Sequence, residues 1–526
     1  MSEMAGSTKM VLFAIVLGTF MTALDATIVS VALPTIAKEF GEAGHDTANV
    51  SWILLIYTMM LCSCILLWSK IGSNKSYKKV FVSGVGVFAA SSLAIGMCGF
   101  VEQLGLFAII LLRAVQGIGA GMVTAMSLAM ISSYLPKSAM GASIGMVTLA
   151  ASAGTAFGPA LGGILTAFHW SLIFFINVPI GLVCILMCMR YMRGEEIHTA
   201  SGAKVDYVGA ALIFVMMFTL IFYLNKGPDM GWMSDAGIAL IFVMAIAAGL
   251  LTWWERRSAD PLISLEILGE PRIRRSIIVG MLLFMAMAGS YLLLPYYLQF
   301  VQHYETVEYG LILIANSAGM MAMGPVVGRI ADRTGQNRRF VIAGALICAL
   351  GFLMLSRMDV DTGLPWILVS LFVMGAGIGM ALVSSTNLSF TYISEGQDGQ
   401  LSGLTNTFRQ AGSSAGVAIL NAVFMAFIVI VPGSTIVGAD LIPGFRHAFF
   451  VAILISLIAF VIAMGLKDRE PSEARGHPVD AFGEDGLDTG CPLLSYEPVQ
   501  REQRLRIWED AHGRIRIEPV QRGNQR

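Results

Sequence analysis

The chain has 526 residues, of which 56% are hydrophobic and only 13% charged, against about 25% charged in an average soluble domain. Its 34 basic and 35 acidic residues leave a formal net charge of −1, and the mean hydropathy is +0.73. Such a composition excludes an ordinary soluble domain and points to an all-α polytopic membrane protein.

Nearly uncharged runs long enough to cross a bilayer as helices recur in chain order. They lie at 10–34, 50–68, 79–100, 105–134, 139–167, 170–190, 205–224, 235–254, 275–300, 308–330, 339–356, 364–391, 401–428 and 446–466. The first run follows Lys9 without an A-x-A cleavage site, so it is expected to stay as a span. Sixteen Lys and Arg fall in one set of loops, among them Lys70, Lys75, Lys137, Arg193, Lys204, Arg256, Arg333 and Arg338. The other set holds four: Lys38, Lys226, Arg357 and Arg446. Positive charge marks the cytoplasmic side, so both termini are expected there. Of the seven cysteines, six (Cys62, Cys64, Cys98, Cys184, Cys188 and Cys348) lie in apolar runs and are expected to be buried small side chains. The seventh is Cys491.

An internal repeat organises the chain. "VQGIGAGMV" (115–123) is similar to "VMGAGIGMA" (373–381), and "AGTAFG" (153–158) to "AGSSAG" (411–416), both at an offset of 258 residues. The loop "SKIGSNKSYKK" (69–79) matches "GRIADRTGQNRR" (328–339) at 259. Two six-span halves in parallel orientation, with two spans inserted between them, are implied. The expected domains are 1–193, an inserted pair at 194–270, 271–470, and a cytoplasmic tail at 471–526. Parallel repeats are a transporter architecture with the site between the halves. In the tail, "RLRIWEDAHGRIRIE" alternates around "DAHG" as a short hairpin does, but an isolated hairpin is marginal in water. A disordered tail is the favoured expectation.

No G-x-x-x-x-G-K-[ST] loop occurs, nor any Gly-Lys pair, so nucleotide hydrolysis is not the energy source. The Gly-x-Gly-x-Gly runs lie inside apolar spans and suit close helix packing instead. No cofactor, metal or nucleic-acid partner is expected, and no enzymatic activity; a monomer should suffice.

"LDATIVSVALP" (24–34), "RAVQGIGAG" (113–121), "GTAFGPALGG" (154–163), "NVPIG" (177–181) and "GRIADRTGQNRR" resemble the signature motifs of the major facilitator superfamily. Together with fourteen spans they are similar to its fourteen-span drug:proton antiporter branch. The resemblance covers about residues 10–468. It implies a major-facilitator fold of two six-helix bundles that rock about a central cavity, exporting drug-like amphipathic compounds against protons. It also implies that Gly154, Gly158, Pro159, Gly162 and Gly163 form the antiporter motif. Gly328, Asp332, Arg333 and Gly335 would form a cytoplasmic gate, with Asp332 exchanging partners among Arg329, Arg333, Arg338 and Arg339. In the first-half copy Ser69, Ser73 and Ser76 replace the expected Gly, Asp and Gly, so that gate lacks its acid. An importer of the same fold is disfavoured by the antiporter motif, and a non-transporting receptor by the charges that follow.

Asp25 sits in an otherwise apolar span, where a carboxylate costs at least ~2.5 kcal/mol. It lies about 13 Å below the outer end of span one, and Arg113 about 12 Å below that of span four, at 1.5 Å per residue. The two are expected to pair and to carry proton coupling, since burial favours a protonated carboxyl and a nearby guanidinium an ionised one. Thr22 and Gln116 extend this polar stripe. Trp52, Tyr57, Gln116, Tyr291, Asn316, Asn387 and Arg409 are candidates for the substrate surface. Span thirteen carries Arg409 but no carboxylate, which argues against dicationic substrates.

Overall fold

A computed structural model describes residues 6–40, 50, 52–100, 105–192, 206–257, 265–393, 397–428, 438–468, 505–509 and 515–519. The expectations for Arg193, Lys204, Cys491 and most of the 471–526 tail lie outside these residues.

In lipid every backbone N–H and C=O must be satisfied within its own segment, and a helix does so. Fourteen long helices result among the described residues. In the first half they are α1 (Gly6–Phe40), α2 (Trp52–Asn74), α3 (Tyr77–Cys98), α4 (Leu106–Tyr134), α5 (Met140–Phe168) and α6 (Asn177–Tyr191). The inserted pair is α7 (Tyr207–Met230) and α8 (Asp235–Glu255). The second half holds α9 (Pro271–Tyr296), α10 (Thr306–Thr334), α11 (Asn337–Leu355), α12 (Leu364–Thr391), α13 (Asp398–Ala426) and α14 (Gly438–Met464).

Several ends differ from the apolar runs. Helix α1 extends past its run in both directions, because polar residues continue a helix once it leaves the hydrocarbon. The run at 170–190 is split into a single turn, Leu172–Phe175, and α6. Pro179 lacks the N–H that would bond to the Phe175 carbonyl, and its ring fits the first turn of a new helix. Thirteen of the helices are apolar enough to cross a bilayer by composition; α13 is the exception. Its polar side chains are spent on neighbours: Ser402 Oγ donates to the Ala125 carbonyl (2.7 Å) and Asn406 Nδ2 to that of Thr124 (3.0 Å) on α4.

Helices α1–α6 form one bundle and α9–α14 the other; the apolar core of the first continues onto α7, α8 and the basic-loop ends of α9, α12 and α13, and the second has a core of its own. The bundles meet where α5 packs on α10 and α12, and where α13 packs on α2 and α4. The inserted α7 lies against α2, α13 and α8. All six described cysteines are buried and free.

The repeat is expressed contact by contact. A Cβ at Gly121 would lie 3.0 Å from the Leu61 carbonyl, and one at Gly379 2.9 Å from the Met320 carbonyl, its counterpart 259 residues on. Likewise a Cβ at Gly119 would lie 2.9 Å from the Gly84 carbonyl, and one at Gly377 2.7 Å from that of Gly344. The Gly-x-Gly-x-Gly runs are therefore crossing points for helix backbones, where small residues permit close approach.

The tail is a separate unit (Glu470–Arg526). Where a disordered segment was the favoured expectation, Leu505–Glu509 and Ile515–Pro519 pair as antiparallel strands β1 and β2, with Ile507 opposite Ile517. The alternating pattern on both sides of "DAHG" had pointed to this hairpin.

Close crossings make the helix positions sensitive to volume. Gly119→Val should lower stability by about 1–3 kcal/mol, read as a fall in the Tm of the detergent-purified protein. Gly86→Ala, where a Cβ would meet nothing within 4 Å, should leave the Tm unchanged.

Candidate functional site

Four helices of the first bundle place polar groups at one buried point. Asp25 on α1 and Arg113 on α4 are both fully buried, and Arg113 Nη1 lies 2.6 Å from Asp25 Oδ2. The same Nη1 donates to Gln116 Oε1 at 2.7 Å. Asp25 Oδ1 accepts from Gln116 Nε2 (3.0 Å) and from Asn177 Nδ2 (3.0 Å), at the start of α6. Ser92 Oγ on α3 accepts from Gln116 Nε2 at 2.7 Å. Arg113 Nε donates to the Ile53 carbonyl at 3.1 Å, and its guanidinium lies 4.3 Å from the Tyr57 ring centroid.

Each carboxylate oxygen thus has a donor, and the charge is neutralised inside the bundle. Arg113 Nη2 has no hydrogen-bond partner among the described residues. Removing either member would strand the other charge in apolar surroundings, at a cost of about 3–5 kcal/mol. Asn177 and Ser92 were not singled out from the sequence; Asn177 opens "NVPIG", and Ser92 is a polar residue in an apolar run. Thr22 does not join the cluster, because its hydroxyl bonds back to the Gly18 and Thr19 carbonyls of its own helix.

The glycines of α5 lie along α1 on either side of Asp25. A Cβ at Gly154 would stand 2.6 Å from the Phe20 carbonyl, and one at Gly162 2.9 Å from that of Ile28. A Cβ at Gly158 would be 3.1 Å from the Ile28 nitrogen. Gly163 follows, half-buried. Pro159 faces the other bundle, where a Cβ on Gly310 of α10 would be 3.4 Å from the proline Cβ. Helix α5 therefore touches the Asp25 helix on one face and α10 on another.

At the basic-loop end, Asp332 in this state bonds the start of α5. Its Oδ1 accepts from the Gly141 N–H (2.8 Å) and its Oδ2 from the Ala142 N–H (2.9 Å), in the first turn of α5. Those N–H groups have no partner within their own helix and carry its positive end, so the acid caps α5 from the opposite bundle. Arg333 is exposed. The Arg338 backbone N–H donates to Asp468 Oδ1 and its Nη2 to the Met464 carbonyl, while Arg339 bonds Gln336. Gly328 permits this approach: a Cβ there would lie 3.0 Å from the Ala142 nitrogen. Gly335 ends α10 in the left-handed conformation, at φ 68°.

The repeat-related contact joins the end of α2 and the start of α3 to the start of α13. Gly399 N–H donates to the Tyr77 hydroxyl (3.0 Å), and Ser69 Oγ donates to the Gly399 carbonyl (2.6 Å). Ser73, at the position equivalent to Asp332, bonds the Ser69 carbonyl of its own helix (3.1 Å).

The substrate-surface candidates scatter. Tyr57 belongs to the Asp25–Arg113 cluster. Trp52 stacks on Phe222 of α7, 5.8 Å between centroids, away from the interior. Asn387 belongs to the Asp332 capping cluster, donating to Asp332 Oδ1 (3.3 Å) and Asn337 Oδ1 (3.1 Å). Asn316 Nδ2 donates to the Tyr291 hydroxyl at 2.6 Å, between α10 and α9. Arg409 reaches the Thr386 hydroxyl on α12. Sequence spacing sets depth in the membrane but not which neighbour a side chain faces.

Capping by Asp332 should hold the two bundles together at the basic-loop end. Spin labels at Ser138 and Thr334, both exposed, should report a longer and broader distance distribution in Asp332→Asn than in the parent. Ser73→Ala should leave that distribution unchanged.

Comparison with known proteins agrees with this architecture. A family model for the Major Facilitator Superfamily matches residues 15–417. The chain is 31% identical over 414 residues to the multidrug resistance protein Stp of Mycobacterium tuberculosis, covering 78% of this chain and 75% of that protein. It is 26% identical over 516 residues to the tetracenomycin C resistance and export protein of Streptomyces glaucescens, covering 90% and 94%. The Mycobacterium tuberculosis drug efflux pump JefA is 29% identical over 427 residues, with 78% and 79% covered. Among solved structures, the human organic anion transporter MFSD10 (TETRAN) superposes with a TM-score of 0.62 at 16% identity, covering 88% of this chain and all of that one; it supports the fold. With its spans, its parallel repeat and these relatives, the chain is a multi-pass membrane transporter of the Major Facilitator Superfamily.

Proposed function

We propose that the protein exports small amphipathic compounds across the cytoplasmic membrane in exchange for protons, with both termini cytoplasmic. The observation that carries this reading is the fully buried Asp25–Arg113 pair, a titratable acid with a fixed counter-charge inside one bundle. The export direction rests on the α5 glycine motif and on the printed names of the relatives, which are resistance and efflux proteins.

A proton on Asp25 cancels its charge and the ion pair between α1 and α4, leaving Gln116 Nε2 on Oδ1 as the bond from Asp25 to α4, and Arg113 with Gln116 and the Ile53 carbonyl. Helix α1 rests on the α5 glycines, and the first turn of α5 is capped by Asp332 of the other bundle. A change at Asp25 is therefore felt where the bundles meet. The ion pair coexists with the latched basic-loop end, so the ionised acid belongs to this state. Loading a proton from the opposite side would be the event that releases the latch.

With one such acid, a one-proton cycle is the simplest scheme. Exporting a neutral compound would then move one net positive charge inward, worth about 2.3 kcal/mol per 100 mV. In proteoliposomes with an imposed pH gradient, Asp25→Asn should fold yet lose uphill export, while retaining substrate exchange without a gradient. Asp25→Glu should keep part of the uphill activity with a shifted pH optimum. Full gradient-driven export by Asp25→Asn would reduce Asp25 to a structural partner of Arg113.

A further inference from the structure

The second bundle holds a partly buried cation, Arg409, that forms no ion pair among the described residues. It lies about 16 Å from the start of α13 at 1.5 Å per residue. One guanidinium nitrogen donates to the Thr386 hydroxyl, and Nε has no hydrogen-bond partner. The guanidinium carbon lies 5.4 Å from the Phe284 ring centroid. An ionised side chain at membrane depth is costly and marks a functional site, and arginine cannot escape the cost by losing its proton.

Three of the hydroxyls near Arg409 are committed to carbonyls of their own helix: Ser385 and Thr386 donate to Leu382, and Ser389 donates to Ser385. A narrow cleft between α9, α12 and α13 is lined by Arg409 and by the hydroxyls of Ser276, Ser385, Thr386, Ser389 and Thr405. All five are buried, and those of Ser276 and Thr405 have no hydrogen-bond partner among the described residues. A guanidinium with an unpartnered Nε, beside the two uncommitted hydroxyls of Ser276 and Thr405, matches an oxyanion, whose oxygens accept several hydrogen bonds at once. The positive charge of Arg409 itself disfavours a cation there. The first bundle neutralises its arginine internally with Asp25; the second leaves that role open.

We propose that Arg409 and this hydroxyl cluster bind the carboxylate, sulfonate or phosphate group of a ligand, so that the exporter prefers anionic amphipaths. The proposal rests on the antiport reading for the transport step but not for the binding site. In the present state the cleft is too narrow for a water molecule. It lies one turn from Ser402 and Asn406, which tie α13 to α4. Opening the bundles at the basic-loop end breaks those ties and frees this face of α13. The anion would enter from that side and be displaced as the end closes.

The test uses full-length protein in nanodiscs and two radiolabelled probes of one shape, 1-naphthaleneacetate and the neutral 1-naphthaleneacetamide. In phosphatidylcholine, the parent should bind the acid about tenfold or more tighter than the amide, from charge-assisted bonds. Arg409→Gln should bring the ratio to about one, and Arg409→Lys should keep part of it; retained Tm values show that both variants fold. Loss of the preference in phosphatidylglycerol but not in phosphatidylcholine would support the site and identify a lipid phosphate as its occupant there. An acid that binds no better than the amide in either bilayer, or a preference untouched by Arg409→Gln, overturns the proposal. Anion preference without substrate-evoked proton movement in vesicles would sink the antiport reading alone. Proton movement without charge preference would sink the anion site alone.

Discussion

A carboxylate placed in hydrocarbon has either to find a partner or to take a proton, and the first bundle is arranged around that choice. Asp25 holds four helices in register: α4 through Arg113 and Gln116, α6 through Asn177, and α3 through the Ser92 hydroxyl that Gln116 also reaches. Ion pairs of this kind are poor sources of stability compared with apolar packing. On the antiport reading proposed above, a proton on Asp25 would alter the bonding of all these helices together. The glycine ridge of α5 then keeps α1 in close contact with the helix that bridges to the second bundle.

The two halves share backbone geometry and differ in chemistry. Gly119 and Gly377, or Gly121 and Gly379, make the same approaches in each half. Arg113 and Gln116, however, correspond at the 258-residue offset to Leu371 and Met374, both fully buried. At the basic-loop end Asp332 of the second half meets α5, while the equivalent position in the first half is Ser73 and the counterpart contact includes Tyr77 and Ser69 against Gly399. A charged cap responds to the helix dipole and to salt, whereas a hydroxyl contact does so weakly.

Much of this was legible in the sequence because it depends on periodicity and depth. Apolar run length gave the spans, the offsets gave the two halves, and counting residues placed Asp25 and Arg113 at one level. The partners of Asp332 were not legible. They are backbone N–H groups 190 residues away, and a helix N-terminus carries no side-chain signature for its acceptor. The contacts of Trp52 and Asn387 were not legible for a related reason, since α2 and α12 each present several faces and only packing decides which one meets α7 or α10. The polar content of α13 was visible, but its use against α4 needed the second bundle in place.

The central claim is that Asp25 exchanges a proton as the transporter changes state. The most direct measurement is proton release from purified protein in weakly buffered detergent with a pH-sensitive dye, on addition of a transported compound. The parent should release about one proton per bound substrate, and Asp25→Asn should bind the same compound and release none. Equal release by the parent and Asp25→Asn would place the coupling proton elsewhere and contradict the account.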